Sequence, residues 1–371
     1  MAVLQMDPGA AYRALKSEID AAVARVLASG RYILGPEVAA FETEFAAALG
    51  LGHAIGVGNG TDALVLALKA LGIGPGDRVA TVTHTAVATV AAIELAGAEP
   101  VLVDIESGSC TLDPAELERC FAAVPGIQAV IAVHLYGQAA DLAAITDIAR
   151  RYGARLIEDC AQAHGATFGD KPVGSFGEIA CFSFYPTKNL GGFGDGGAVA
   201  TCDPALAARL RSLREYGWEA RYISTVTGMN SRLDELQAAI LRVRLAHLAA
   251  DNARRGEIAA AYDRGLAGLE LVLPHRRAGS TPVWHQYVVR SRTRDALQQA
   301  LAPRGIGTNI HYPVPVHLQP AYADRLLTGP SGLAVSEQAA REVLSLPIYP
   351  QLPDEAVGEV VAAIRAVLGS V

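Results

Sequence analysis

The sequence lacks any C-x-x-C pair, and its five cysteines (Cys110, Cys120, Cys160, Cys181 and Cys202) are an odd number. That argues against a disulfide framework and reads as reduced thiols in a cytosolic protein. It also lacks a basic run. With 31 basic residues against 38 acidic ones, the formal net charge is −7, which speaks against nucleic acid and gives no sign of a membrane surface. No apolar stretch spans a bilayer; residues 127–135 soon meet Tyr136, Gln138 and Asp141. The opening residues 1–10 contain Asp7 and Pro8 without an apolar core segment, so no signal peptide is expected. There is no repeat or low-complexity linker, and 37 Gly, 19 Pro and 19% charged residues carry no disordered or collagen-like bias. What is present is a chain of 371 residues, 51% hydrophobic, long enough for two domains or one large domain with an appendage. A soluble, compact, intracellular protein is expected.

The first half alternates short β-like runs with amphipathic helices. Pro36, Phe41, Phe45 and the following Gly50 mark an early helix. Strands are predicted at 54–57, 78–82, 100–103, 129–133 and 155–157. Helices are predicted at 62–71, 85–96, 113–123 and 141–152, with Gly72, Gly97 and Gly153 as stops. Asp113, Pro114 and Glu116 supply a cap, a first-turn proline and an acidic third position. Repeated β–α units imply an α/β fold with a mainly parallel sheet flanked by helices. After residue 178 two strands, 179–184 and 198–201, are joined only by a Gly-rich loop. Helices follow at 204–216, 233–248 and 253–269. A strand at 287–289 and helices near 294–302 and 354–368 suggest a smaller α+β domain. The expected division is a large domain, 1–250, and a small C-terminal one, 251–371.

Two Gly-rich segments invite a phosphate reading. Gly192-Phe-Gly194-Asp-Gly196-Gly197 satisfies G-x-G-x-x-G literally, but a strand rather than a helix follows it, which speaks against a dinucleotide site. Gly56-Val-Gly58-Asn59-Gly60-Thr61 does follow a strand and open a helix. It is either an anion site or an ordinary glycine turn. Asp159 closes a predicted parallel strand, at the end where open α/β sheets bind ligands. Lys188 lies between the apolar run 182–185 and the Gly-rich loop. Such surroundings lower a lysine's pKa and free its amine as a nucleophile. A lysine able to form a Schiff base and a carboxylate able to pair with a pyridinium nitrogen are the two groups a pyridoxal phosphate site requires.

These motifs together resemble the sugar-nucleotide aminotransferase family, the DegT–DnrJ–StrS group of fold-type-I pyridoxal-phosphate enzymes. The resemblance runs from Gly30-Arg-Tyr-Ile-Leu-Gly35-Pro-Glu-Val to His311-Tyr-Pro and His317. Its most specific pieces are Gly58-Asn-Gly-Thr-Asp-Ala-Leu64, Glu158-Asp-Cys-Ala-Gln162, Ser183-Phe-Tyr-Pro-Thr-Lys188-Asn and Asn230-Ser-Arg-Leu-Asp-Glu-Leu-Gln237. The resemblance implies a seven-stranded-type sheet in the large domain, with Lys188 carrying the cofactor and shuttling a proton. It implies Asp159 on the ring nitrogen and Gln162 beside the phenolic oxygen. Gly60, Thr61 and Ser183 would hold the phosphate, and Asn230 would reach it from the neighbouring subunit of a homodimer. His84 is either the group stacked on the ring or a capping or buried histidine, since Ala86 stands where many members carry an aromatic.

The implied activity is amination of a keto group on a nucleotide-linked 6-deoxyhexose (thymidine diphosphate as carrier), with glutamate as donor. Ala86, Tyr185 and the His311-Tyr312 pair favour a ketone at C3 over C4. Tyr185, Tyr222, His311, Tyr312 and His317 are the candidate substrate contacts. Of these, Tyr185, His311 and Tyr312 are also candidates for proton transfer and orientation. His311 and His317 fit no zinc spacing, so no metal is expected. His134 reads as structural and Lys171 as turn chemistry. A related dehydratase carries histidine in place of the lysine, which Lys188 opposes. A non-catalytic regulatory member would be expected to lose the cofactor residues kept here.

Overall fold

A computed structural model describes residues 2–369. Helices α1 (Pro8–Ser29) and α2 (Pro36–Leu49) precede strand β1 (His53–Val57). Then α3 (Gly60–Ala70), β2 (Arg78–Val82), α4 (Val87–Leu95), β3 (Glu99–Val103), α5 (Pro114–Ala123), β4 (Ile127–Val133), α6 (Leu142–Tyr152) and β5 (Arg155–Asp159) alternate as expected. A small hairpin, β6 (Thr167–Phe168) and β7 (Lys171–Pro172), leads to β8 (Ile179–Ser183) and β9 (Gly197–Thr201). Helix α7 (Pro204–Leu213) and the hairpin β10 (Trp218–Ala220) and β11 (Ile223–Ser224) come before the long α8 (Glu235–Leu266). The last third carries β12 (Ser280–Thr281), β13 (Tyr287–Arg290), α9 (Arg294–Leu301), β14 (Leu327–Thr328), α10 (Ala334–Glu342), β15 (Val343–Leu346) and α11 (Asp354–Leu368).

Eight strands form one sheet in the order β1-β9-β8-β5-β4-β2-β3-β14. From β8 to β14 all neighbours are parallel, whereas β9 is antiparallel to both β8 and β1. The mainly parallel sheet read from the β–α alternation is therefore present. Its strands are nearly continuous runs of buried residues, as a sheet covered on both faces requires. Local signals act as read. Asp113 accepts from the backbone N–H of Ala115 at 2.8 Å, and Gly50 and Gly153 end their helices in the left-handed region.

Packing follows the period of two along β8. Phe182 and Phe184 turn to the α2 side, where they meet Phe41 and Phe45 edge-on at 5.0–5.4 Å. Ser183 between them faces the other way, toward the carboxyl ends of the strands. A separate core gathers Tyr262 of α8, Trp284, Tyr287 of β13 and the apolar face of α11.

Two expectations differ from what is observed. Residues 233–248 and 253–269 are not two helices; α8 runs unbroken through residue 250. The polar stretch Asp251-Asn252 stays helical because Asn252 finds tertiary partners: its side chain accepts from Asn189 and donates to the His164 carbonyl, both at 2.8 Å. We propose that the large and small units divide within α8. The helix expected from residue 85 begins at Val87, since Thr85 and Ala86 are drawn into the site described next. Among the described residues no helix is long and apolar enough to cross a membrane.

Candidate active site

Parallel strands end on one side of a sheet, and the residues that follow them gather there. Asp159 closes β5 in register with Val133 of β4 and Cys181 of β8. His134 follows β4, Ser183 closes β8, and the N-terminus of α3 opens beside them. These ends enclose a cavity of about 640 Å³ lined by Gly60, Thr61, Ala86, Asp159, Gln162, Ser183, Tyr185, Lys188, His311 and Tyr312, among others. That is a cofactor-sized space.

The cavity is polarised. At one end α3 presents the free N–H groups of its first turn, an anion-binding arrangement. Asn59 caps this helix by accepting from the Asp62 N–H at 2.8 Å. Position 60 has to be glycine: a Cβ there would lie 2.7 Å from the Ser183 Cβ. That close approach brings the Ser183 hydroxyl to the helix N-terminus. Ser231 ties the turn down, accepting from the Gly58 N–H at 2.9 Å and donating to Asp62 at 2.6 Å.

At the other end lies Asp159. Its carboxylate accepts from Thr89 Oγ1 at 2.9 Å and from the Ala161 N–H at 3.1 Å. Burial nonetheless raises its pKa, because a charged carboxylate loses hydration there. Lys188 shares the cavity. Burial lowers its pKa to about 8, against the opposing pull of Asp159. An amine with such a pKa is partly free near neutral pH. Gln162 is held at both ends: Oε1 accepts from the Tyr136 N–H at 2.7 Å, and Nε2 donates to the Tyr312 hydroxyl at 3.1 Å.

The loop expected to present His311 and Tyr312 does reach the cavity. His311 is bonded through Nδ1 to Ser345 Oγ at 2.8 Å and through Nε2 to Asn309 at 3.3 Å. Burial and the Lys188 charge lower its pKa to about 4, so the ring is neutral. Burial raises the Tyr312 hydroxyl to about 12.

Other residues singled out in the sequence stand elsewhere. His84 is fully buried and outside the cavity lining, with Nε2 2.9 Å from the Tyr136 hydroxyl; Ala86 lines the cavity instead. His317 bonds Thr83 at 2.9 Å and Glu337 at 3.3 Å, and is not among the lining residues. Asn230 is exposed and not among the lining residues of its own chain's cavity, and Tyr222 is 74% exposed on the β10–β11 hairpin. His134, which lines the cavity, clusters with the buried Glu158 and Cys160. Glu158 is already occupied there, accepting from the N–H groups of Gly174, Phe176 and Gly177 at 2.7–2.8 Å.

Thr89, Thr187, Asp195, His285 and Gln286 were not foreseen as site residues. Thr89 lies in the first turn of α4 and is marked only by its contact with Asp159, which no local pattern reveals. His285 and Gln286 come from a segment with no motif.

The residues present fit pyridoxal phosphate. A helix N-terminus with a glycine–serine cradle suits its phosphate, a buried carboxyl its ring nitrogen, and a lysine of lowered pKa its aldehyde. Comparison with known proteins then decides the family. The model of the DegT/DnrJ/EryC1/StrS aminotransferase family matches residues 13–365. The chain belongs to this family.

It is 51% identical over 362 residues to dTDP-3-amino-3,4,6-trideoxy-α-D-glucose transaminase of Streptomyces venezuelae, covering 97% of this chain and 94% of that one. The crystal structure of S. venezuelae DesV in complex with a ketimine intermediate superimposes with a TM-score of 0.95 at 51% identity, over 98% of each chain. Bacillus subtilis NtdA with bound cofactor PMP matches with a TM-score of 0.88 at 31% identity, over 95% of this chain and 82% of that one.

Proposed function

We infer that the protein is a pyridoxal-phosphate-dependent aminotransferase that converts the C3 ketone of a nucleotide-linked 6-deoxyhexose to an amine. The observation that carries the reading is a single cavity holding a lysine of lowered pKa, a buried carboxyl and a glycine-gated helix N-terminus. The likeness to a 3-amino-sugar transaminase supports the C3 position. When bound, the cofactor supplies an aldehyde for exchange of amino groups and a ring that withdraws electrons, and it alternates with pyridoxamine phosphate.

The rest falls to the chain's own side chains. The Gly60 and Thr61 N–H groups, the Thr61 hydroxyl and Ser183 Oγ hold the phosphate. Asp159 keeps a proton on the ring nitrogen, and Thr89 keeps Asp159 aimed. Gln162 would face the cofactor's phenolic oxygen. Lys188 Nζ takes a proton from the donor's α-carbon in the first half of the exchange and delivers one to the sugar's C3 carbon in the second. Tyr185, Tyr312 and neutral His311 orient the ketone and assist proton transfer to its oxygen. His84 belongs to the supporting wall in this reading, and His317 and Tyr222 to the approach of the substrate.

Thymidine diphosphate as carrier, glutamate as donor, and a homodimer in which Asn230 completes the neighbour's phosphate site are part of the proposal. The last of these is supported by Asn230 being exposed and absent from the lining of its own chain's cavity. Unpaired cysteines, four of them buried, suit a cytoplasmic location. The test offers a 3-keto-6-deoxyhexose and its 4-keto isomer, each linked to thymidine diphosphate, with glutamate. Amino product from the 3-keto sugar is expected. Product from the 4-keto sugar alone refutes the C3 assignment, and no product from either refutes the aminotransferase reading.

A further inference from the structure

His285 lines the same cavity as Lys188 and feels its charge, yet neither the family motifs nor the reading above gives it a task. Its hydrogen bonds fix its tautomer. Nδ1 lies 3.2 Å from Asn189 Oδ1. The Asn189 amide nitrogen donates to Asn252 Oδ1 and to the Val283 carbonyl, both at 2.8 Å. The Val283 carbonyl can only accept, so the amide orientation is forced and Oδ1 faces the imidazole. His285 must therefore donate through Nδ1–H, leaving a lone pair on Nε2. The ring is neutral, since burial and the charges of Lys188 and Arg255 oppose its protonation. Nε2 has no protein partner among the described residues, is not sealed from solvent, and belongs to a residue whose open side is the cavity. The residue gripped by Nδ1 is the one next to Lys188.

We propose that His285 is a positioning residue for Lys188, gripping Asn189 through Nδ1 and offering Nε2 as the acceptor for the lysine's ammonium. The inference rests on the reading of Lys188 as the proton-transfer group. In that step the C–H bond of the donor's α-carbon breaks and its electron pair stays on the carbon side. The proton forms a new N–H bond at Nζ. The nitrogen then carries a donor that the neutral amine did not have. Nε2 receives it and holds the ammonium in place for the return transfer, while His285 itself gains no proton.

Two substitutions separate the two nitrogens. His285→Asn keeps a donor near the Nδ1 position and deletes the acceptor, whereas His285→Gln places an acceptor near Nε2. In the cofactor-loaded enzyme, His285→Asn is expected to keep its cofactor content and its KM for the keto sugar. Its kcat should fall about tenfold or more, as for a lost proton-transfer aid. With α-deuterated glutamate its isotope effect should rise above wild type, and His285→Gln should recover most of the rate.

A second readout needs no turnover. The titratable groups facing Lys188 are Asp159, His164, His285 and His311. Deleting an acceptor makes the ammonium less stable. Cofactor-free His285→Asn should therefore capture pyridoxal phosphate about threefold to tenfold faster at pH 7 than wild type. A His285→Asn variant with wild-type kcat, isotope effect and capture rate overturns the proposal. So does equal impairment of both variants with loss of cofactor, which would make His285 a structural brace. A wild-type protein that does not exchange its amino group with glutamate overturns the functional reading, and this inference with it.

Discussion

Replacing Lys188 by methionine should stabilise the cofactor-free protein at neutral pH. The two side chains are similar in length, so the change removes an ammonium with little loss of packing. The folded protein lowers the lysine from 10.5 to about 8. At about 1.36 kcal/mol per pKa unit this corresponds to about 3.4 kcal/mol. Lys188 is only partly buried and opens on the cavity, so solvent screens part of this and about 1–3 kcal/mol is the working figure. Below pH 8 both the folded and unfolded chains carry the proton, and the cost of holding an ammonium in the cavity is present in full. Between about pH 8 and 10.5 the folded protein has lost the proton while the unfolded chain keeps it. Wild-type stability therefore rises with pH across that window. Denaturant midpoints of cofactor-free wild type and Lys188→Met, measured from pH 7 to 10.5, should show the variant ahead at pH 7 and the gap closing above pH 8. A variant no more stable than wild type at pH 7, or a gap that ignores pH, would refute the reasoning.

Asp159→Asn retains shape but cannot keep a proton on the ring nitrogen, so turnover should drop at least about a hundredfold while thermal stability is kept; an unaltered rate would reduce the carboxyl to a local cap. Gly60→Ala forces a Cβ to within 2.7 Å of the Ser183 Cβ. Overpacking of this kind costs about 1–3 kcal/mol, so cofactor titration followed by absorbance should show weaker binding, and unchanged affinity with unchanged stability would count against the cradle. Mixing an inactive Lys188→Ala subunit with an inactive Asn230→Ala subunit should restore some activity, because one site in each mixed dimer is then intact. No recovery in mixed dimers shown to form would mean that each chain completes its own site.

By itself the sequence determined the α/β class, most β–α boundaries, and the lysine, carboxylate and glycine turn that line the cavity proposed to hold the cofactor. Those features are written locally. Caps, helix-stopping glycines and apolar runs act within a few residues, and Asp159 and Gly60 each stand at a strand or helix end that such signals mark. Lys188 was legible for a similar reason, as a single cation between an apolar strand and a glycine loop.

Other assignments depended on which distant segments meet. Whether His84 faces the ring or backs Tyr136 turns on a contact between residues 52 positions apart. His285 enters the cavity because Asn189, 96 residues earlier, anchors its ring. The same amide holds Asn252 inside an unbroken α8, where two separate helices were expected. No periodicity or spacing along the chain encodes such pairs. They exist because buried donors and acceptors must find partners, and only the packed tertiary structure decides which ones lie within hydrogen-bonding distance.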